Sequence, residues 1–388
     1  MKVTVSVGGT FHAFRLAEQL EARGMLHRLV TTHRPLRGER IAPERITVNP
    51  WPEVLMRGPR AMGLRWQTGD YLKAVAFDRW AARHVDGCDV WVGFALFSLA
   101  AQRAASAAGA CTVLERGSTH ISTQHALLAE EYRRWRYPAP PIDRRLVDRQ
   151  LEEYDEAGWI AVPSRFVYQS FVDNGIAPDR LMLIPYGADC RLFSPGTQTG
   201  RPFRIVTVGL SLRKGTPYLL EAASRLGRGA GSPEMESCLV GAVAPDVAHV
   251  LRQTSVRVRL LGAVSHADLA AMYRTASVFV LPSIEEGMAL SALEAMASGV
   301  PVIVTPNTGV TDIIENGREG LVVPARDTTA LAQAISSLYE DEPKRLAMAE
   351  AAARTARRWT WDAYGDRVIS AYTGLAERVS AGAAGAVR

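Results

Sequence analysis

The chain has 388 residues, more than one hydrophobic core ordinarily supports, so two domains of similar size are expected. Apolar residues make up 47% and charged residues 22%, with Gly and Pro dispersed as turns, which excludes a disordered or low-complexity chain. The net charge of +5 comes from scattered arginines, which argues against a nucleic-acid face and leaves anionic ligands or an anionic membrane as sufficient partners.

The chain opens on the strand-like Lys2–Val7 and not on a basic region with a following apolar run, so secretion by a cleaved leader is not expected. A helix over 13–23 and a strand over 29–32 follow. Asp89–Gly93 precedes a helical Leu96–Ala108, and Cys111–Glu115 precedes a helix near 121–134. Trp159–Val162 precedes a helix over 165–174, and Leu181–Ile184 is the last strand of the first half. This alternation predicts a parallel α/β domain. Pro185, Pro195 and Gly196 mark a linker.

A second alternation starts at Arg204, with strands over 205–208, 237–240, 258–261, 278–281 and 302–305, each leading to a helix. Amphipathic helices over 328–339, 344–355 and 361–378 close the chain. The expected fold class is α/β, two Rossmann-like doubly wound sheets facing across a cleft. The expected domains are 1–190, 197–360, and a terminal segment 361–388 that crosses back to the first domain. Cys88, Cys111, Cys190 and Cys238 lack disulfide or zinc-ligand spacing, which fits a reducing cytoplasm. The longest mostly apolar run, 90–101, is far below the roughly 20 residues of a spanning helix. A cytoplasmic location is expected, peripheral to the inner face of the plasma membrane at most.

The most informative segment runs from Val278 to Val304. An apolar strand ends at Pro282-Ser283, and Gly287 then allows close backbone approach to a ligand. The helix starting near Met288 or Ala289 offers free N–H groups and the positive end of its dipole, a natural phosphate seat. Glu294 falls one turn after Leu290 on the buried face of that helix and leans back toward its N-terminus, where ribose hydroxyls could satisfy it. A glutamate capping nearby backbone is the alternative.

Other candidates follow strand ends. Gly8-Gly9 lies between the first strand and the helix carrying Phe11, His12 and Phe14, without the GxGxxG dinucleotide fingerprint. His120 follows the strand ending near Glu115 and could donate to a phosphate or sugar oxygen; a structural or surface role is the alternative. Arg213-Lys214, just before Gly215 and a helix, stands where cations meet a diphosphate.

EGMALSALEAMASGVPVI, VPSRFVYQSFVDNGIAPDRLMLIPYGADCRLFSP, LRKGTPYLLEA, PNTGVTDIIENGREGLVVPARD and WTWDAY together resemble glycosyltransferase family 4, retaining enzymes of the GT-B fold that use nucleotide sugars. GTFHAFRLAEQL and ERGSTHISTQHALLAEEY look like a bacterial polysaccharide-associated branch. The resemblance implies that Glu286 contacts donor-sugar hydroxyls and Glu294 the ribose. Met288, Ala289 and Leu290 would present backbone N–H groups, alongside Gly287. Arg213 and Lys214 would neutralise the leaving diphosphate. His120 and the Gly9 loop would border the reacting sugar, and Val264 would lie against the base. The family often carries Gly-Arg early in the loop before its lysine, whereas this chain reads Val208-Gly209-Leu210-Ser211, so Arg213 is the expected substitute.

Such a transfer builds negative charge on the departing diphosphate, which cations and helix ends can stabilise. No Asp-x-Asp pair stands in the expected cleft, so metal independence and no cofactor beyond the donor are expected. The resemblance implies retention, with front-face attack and the acceptor proton passing to the leaving phosphate as the working hypothesis. The acceptor is expected to be a glycan, lipid-linked or small-molecule hydroxyl. Trp51–Tyr71 mixes Trp51, Met56, Met62 and Trp66 with Arg57, Arg60 and Arg65, readable as a membrane-facing seat or as core beneath a long loop. Arg133–Arg149 reads as an acceptor flap or a solvated loop. An epimerase or phosphorylase on the same scaffold, or a silent nucleotide-sugar-binding homologue, are the rival functions.

Overall fold

The computed structural model describes residues 1–34, 40–54, 67–140, 143–196, 202–226, 235–254 and 256–385. The first half is a seven-stranded sheet in the order β3-β2-β1-β4-β5-β6-β7. Its strands are β1 (Val3–Val7), β2 (Leu26–Thr31), β3 (Ile46–Val48), β4 (Val90–Phe94), β5 (Cys111–Glu115), β6 (Trp159–Val162) and β7 (Leu181–Leu183). The second half is a six-stranded sheet in the order β10-β9-β8-β11-β12-β13. It is built from β8 (Phe203–Leu210), β9 (Met235–Val243), β10 (Val258–Gly262), β11 (Val278–Leu281), β12 (Val302–Val304) and β13 (Gly320–Val322). Every pairing is parallel.

Parallel strands are covered on both faces, which is why β1, β4 and β11 read as unbroken apolar or small-residue runs and are buried throughout. In each sheet the strand order reverses once, between β1 and β4 and between β8 and β11. The crevice beyond the strand carboxyl ends at such a reversal is the standard place for a ligand in open α/β sheets.

The helix Trp361–Gly385 returns to the first half and packs on the helix Ala13–Ala22. Tyr364, Val368, Tyr372 and Leu375, spaced at helical intervals, are all at most 3% exposed and join the core beneath β1. Val368 and Leu375 contribute about 1.5–3 kcal/mol each on burial. Arg23 reaches Asp366 at 2.6 Å and Gln19 reaches Asp362 at 3.4 Å across the same contact.

Several elements differ from the sequence reading. β12 leads to two 3₁₀ turns, Pro306–Thr308 and Val310–Asp312, and not to an α-helix. Gly309 between them is left-handed and sits against the Gly287 carbonyl and Ser164, where a helix would not fit. Arg144–Glu156 is a regular helix capped by Asp143, not a solvated loop. Its buried face consists of Arg149, Gln150, Glu153 and Tyr154, so polar side chains mask the apolar stripe that normally signals a helix. β3 and the helix Gln67–Ala81 were also unforeseen. Trp51 is 67% exposed, which removes it from any core, while Met56, Arg57, Arg60, Met62, Arg65 and Trp66 lie outside the described residues. Among the described residues no helix is long and apolar enough to cross a membrane.

The helix Ile121–Arg134 belongs to the first half in sequence but lies against the second. Glu131, fully buried, accepts from Trp135 Nε1 at 2.8 Å, Tyr218 Oη at 2.7 Å and Arg326 Nε at 2.8 Å. Arg326 makes this reach from a left-handed backbone, with φ of 68°. Tyr132 Oη donates to Asp246 at 3.2 Å, and Tyr137 stacks on His249 with ring centres 5.9 Å apart.

Candidate donor site at the second sheet

The loops after β8 and β11 flank the reversal of the second sheet and hold the charged residues of the site. Ile284 N–H donates to Arg213 O at 2.8 Å, locking the two loops together. Arg213 Nε donates to Glu285 Oε2 at 2.8 Å, and its Nη2 reaches Ser118 Oγ of the first half at 3.3 Å. Lys214 Nζ pairs with Glu286 Oε2, which is only partly buried. Arg213 and Lys214 are thus brought together with Glu286.

Glu285 was not foreseen. It is fully buried, and its Oε1 accepts from Thr119 N and Thr119 Oγ1 at 2.9 and 3.0 Å. Its Oε2 accepts from Gln124 Nε2 at 3.0 Å beside the Arg213 contact. Burial pushes its carboxyl pKa up, but Arg213 and the donors from Thr119 and Gln124 outweigh this and hold it below the ordinary value. The only sequence signal was a second acidic residue beside Glu286 in an otherwise apolar stretch.

Gly287 stands where the halves meet. A Cβ there would collide with the carbonyl of Gly117, and the Gly287 carbonyl accepts from Ser164 Oγ at 2.6 Å. Met288 is buried, and its sulfur receives Tyr186 N–H at 3.2 Å. Of the three backbone donors expected, Ala289 N–H is already used by Thr308 O at 3.1 Å, because the 3₁₀ turn after β12 lies against the loop. The amides of Met288 and Leu290 have no acceptor among the described residues and stand at the start of the helix Leu290–Ala297.

Glu294 is half-buried on that helix, and its carboxylate makes no hydrogen bond or ion pair among the described residues. Burial raises its pKa to about 8, against a smaller lowering by Arg15 across the gap, with Asp189 also nearby. Val264 is half-buried in the turn after β10 and packs against the core.

His120 does not enter the cleft. It is 4% exposed, with its ring between Tyr154 at 4.9 Å and Phe171 at 5.1 Å, and its Nδ1 caps the following helix by accepting from Ser122 N at 3.3 Å. Burial, helped by Arg116, lowers its pKa to about 4. The Gly8-Gly9 loop is also less open than expected. A Cβ on Gly8 would strike the Phe97 ring, and one on Gly9 would lie 2.9 Å from the Phe11 ring. The glycines are required first by these two rings.

Residues 7–192 match the family described as Glycosyltransferase Family 4, and residues 202–341 match that described as Glycosyl transferases group 1. The chain is 30% identical over 276 residues to a D-inositol 3-phosphate glycosyltransferase of Corynebacterium glutamicum, covering 65% of this chain and 66% of that protein. Against the protein of the same name from Corynebacterium urealyticum it is 31% identical over 241 residues, 53% of this chain and 55% of that one. In fold it is similar to a sucrose-phosphate synthase from Thermosynechococcus elongatus, with a TM-score of 0.71 at 18% identity over 97% of this chain and 99% of that one. It is also similar to HepE of Anabaena, solved in complex with UDP-glucose, with a TM-score of 0.70 at 15% identity over 96% of this chain and 100% of that one. With both domain types in order on two facing parallel sheets of GT-B type, the chain belongs to the family 4 glycosyltransferases with a group 1 second domain.

Proposed function

We propose that this protein transfers a sugar from a nucleotide-diphosphate sugar to a hydroxyl of a glycan, lipid-linked or small-molecule acceptor, with retention and without a metal ion. The observation that carries the reading is the meeting of Arg213 and Lys214 with Glu285 and Glu286 at the reversal of the second sheet, beside the unused amides of Met288 and Leu290. In transfer, the bond from the anomeric carbon to the diphosphate oxygen breaks as a bond to the acceptor oxygen forms, and the acceptor proton leaves with the diphosphate. Charge accumulates on that diphosphate. Lys214, Arg213 and the two amides are placed to receive it.

Lys214 is neutralised by Glu286. A diphosphate would draw Lys214 away and release the Glu286 carboxylate toward donor-sugar hydroxyls, so one ion pair is exchanged for two new contacts. Glu294, unpartnered and facing Arg15, is assigned to the ribose, and Val264 to the base. The name shared by the curated relatives makes D-inositol 3-phosphate an acceptor to test beside bacterial surface glycans.

The test is a thermal-shift screen of UDP- and GDP-sugars, followed by turnover of the best donor with and without EDTA, with the product anomer read by NMR. Replacing Lys214 by Ala should lower turnover by about 100 to 1,000-fold, the scale of losing one preorganised oxyanion donor. Full activity of that variant, or activity abolished by EDTA, would contradict the proposal.

A further inference from the structure

Three charged side chains lie buried beside the loop that follows β4. Asp78 of the helix Gln67–Ala81 is 1% exposed, and Arg149 and Glu153 of the helix Arg144–Glu156 are 7% and 0% exposed. Arg149 Nη2 pairs with Asp78, and Arg149 Nε lies 3.7 Å from Glu153 Oε1. Two acids against one base leave these three with a net negative charge, an arrangement that well-packed apolar residues would often match or better for stability. Backbone amides compensate the charge. Ala100 and Ala101 N–H donate to Asp78 at 2.6 and 2.9 Å, while Leu96 and Ser98 N–H donate one to each Glu153 oxygen.

The loop they hold is strained. Leu96 adopts φ of 84°, a left-handed conformation that an L side chain keeps only under constraint. Its N–H is taken by Glu153 and its carbonyl accepts from Arg149 Nε at 2.9 Å, so one turn of a single helix grips the strained residue at both backbone polar groups. Phe97, the next residue, is 6% exposed, and its ring fills the space over Gly8, where any Cβ would collide with it. Ser98 Oγ occupies the room left by Gly93 and accepts from Trp91 Nε1 at 3.3 Å. This loop leaves β4 at the reversal of the first sheet, where Ala95 N–H donates to Glu115 O at 3.0 Å. Strain held by buried charge at such a crevice points to a requirement of function more than of folding.

We propose that Arg149 and Glu153 are positioning residues that hold the loop 95–98, and through the Phe97 ring the turn at Gly8, in the shape that turnover requires. Ionised Glu153 accepts from both amides. Once it takes up a proton, one oxygen becomes an O–H donor facing an N–H donor, and the grip on Leu96 or Ser98 is lost. Leu96 then relaxes toward ordinary backbone and draws Phe97 off Gly8. The groups facing this carboxyl are Arg149 on its own helix, Asp78 on the helix Gln67–Ala81, and the amides of Leu96 and Ser98; Gln102 of the helix Leu99–Ala107 donates to the Glu153 backbone carbonyl at 2.8 Å. Burial raises the Glu153 pKa to about 7, with Asp78 adding to the rise and Ser98, Arg149 and Leu96 opposing it. The grip is therefore present above that pH and lost as pH falls through it. Its effect on turnover rests on the transferase reading of the donor site, whereas the grip on the loop does not.

The test uses the full chain, with UDP-glucose, UDP-N-acetylglucosamine and GDP-mannose as donors and glucose and D-inositol 3-phosphate as acceptors. In the wild type, hydrogen exchange corrected for the intrinsic rate should show the Leu96 and Ser98 amides losing protection roughly tenfold from pH 8 to pH 6, the change in ionised fraction across a pKa of about 7, while the amides of β1 stay protected. Glu153→Gln imitates the protonated acid. It should lower turnover at pH 8 by roughly ten- to 100-fold, leave the donor Kd within about twofold, and remove the fall in turnover that the wild type shows near pH 7. Leu96→Gly, which adopts positive φ freely, should recover most of that loss in the Glu153→Gln background. Protection unchanged between pH 8 and pH 6 in the wild type, full turnover of Glu153→Gln, or no recovery by Leu96→Gly overturns the proposal. Should Glu153→Gln fail to fold, the exchange measurement on the wild type decides alone. Protection that falls with pH in a wild type that binds none of the donors upholds the grip and refutes the transferase reading.

Discussion

Replacing Glu285 by Gln perturbs the contact on which both halves and the donor site depend. The native carboxylate accepts four hydrogen bonds, two from Thr119, one from Gln124 and one from Arg213. A glutamine can keep both Thr119 bonds on its amide oxygen, but its NH₂ then faces the NH₂ of Gln124 and the Arg213 guanidinium. Gln124 can turn its own amide only by giving up the bond its oxygen accepts from Arg116 Nη2 at 3.0 Å. Losing the charge-assisted bond costs about 1.5–3 kcal/mol, while Arg213, a third exposed, keeps Glu286 at 4.0 Å. Because Thr119 and Gln124 lie in the first half and Glu285 and Arg213 in the second, the cost falls on the union of the halves. No tryptophan lies between Trp159 and Trp359, so fluorescence reports mainly on the first half and the returning helix, whereas far-UV circular dichroism reports on both. In urea the wild type should give coincident transitions by the two probes, and Glu285→Gln should separate them and lower the midpoint. A double-mutant cycle with Thr119→Ala should show coupling above about 1 kcal/mol. Coincident transitions within about 1 kcal/mol of wild type would refute the reasoning.

Three further outcomes are expected. Gly287→Ala should push the donor loop off Gly117 and lower turnover about 100-fold or more while each half keeps its circular dichroism; wild-type turnover would show that the close approach is dispensable. His120, ordinarily protonated below pH 6.5, stays neutral in the fold down to about 4, so stability present above pH 6.5 is lost as pH falls through that window. The loss from this residue is about 3 kcal/mol, and His120→Asn, which keeps the helix cap, should show a correspondingly flatter pH dependence in urea titrations. With a pKa of about 8, Glu294 is largely protonated at pH 7, and ribose hydroxyls donating to it favour the carboxylate. Donor binding should then release up to about 0.9 proton, measured by calorimetry in buffers of different ionisation enthalpy; the same release from Glu294→Gln would exclude this residue.

The fold was legible because alternating apolar runs and helices report both sheets directly, and β11 with its glycine loop marks the reversal point of the second. What remained hidden was carried by pairings distant in sequence. Glu285 reads as a neighbour of Glu286 until Thr119 and Gln124 are seen around it, and His12 meets Glu115 across 103 positions. His120 shows the converse error. A polar residue just beyond a strand end does project from the sheet edge, but this one turns back as a helix cap into an aromatic core. The arginine-rich stretch 133–149 reads from sequence as a flap or a solvated loop because charge is a good guide to exposure only when no buried acid awaits it; Asp78 and Glu153 await Arg149.

The lodging of Ile121–Arg134 against the second sheet has a practical corollary for recombination. A hybrid joined at the linker near Pro195 would carry Glu131, Tyr132, Trp135 and Tyr137 from one parent and confront them with another parent's equivalents of Tyr218, Asp246, His249 and Arg326. Shuffling partners from this family would therefore succeed more often if that single helix were exchanged together with the downstream module, as though the chain's true seam ran through its middle and not along its linker.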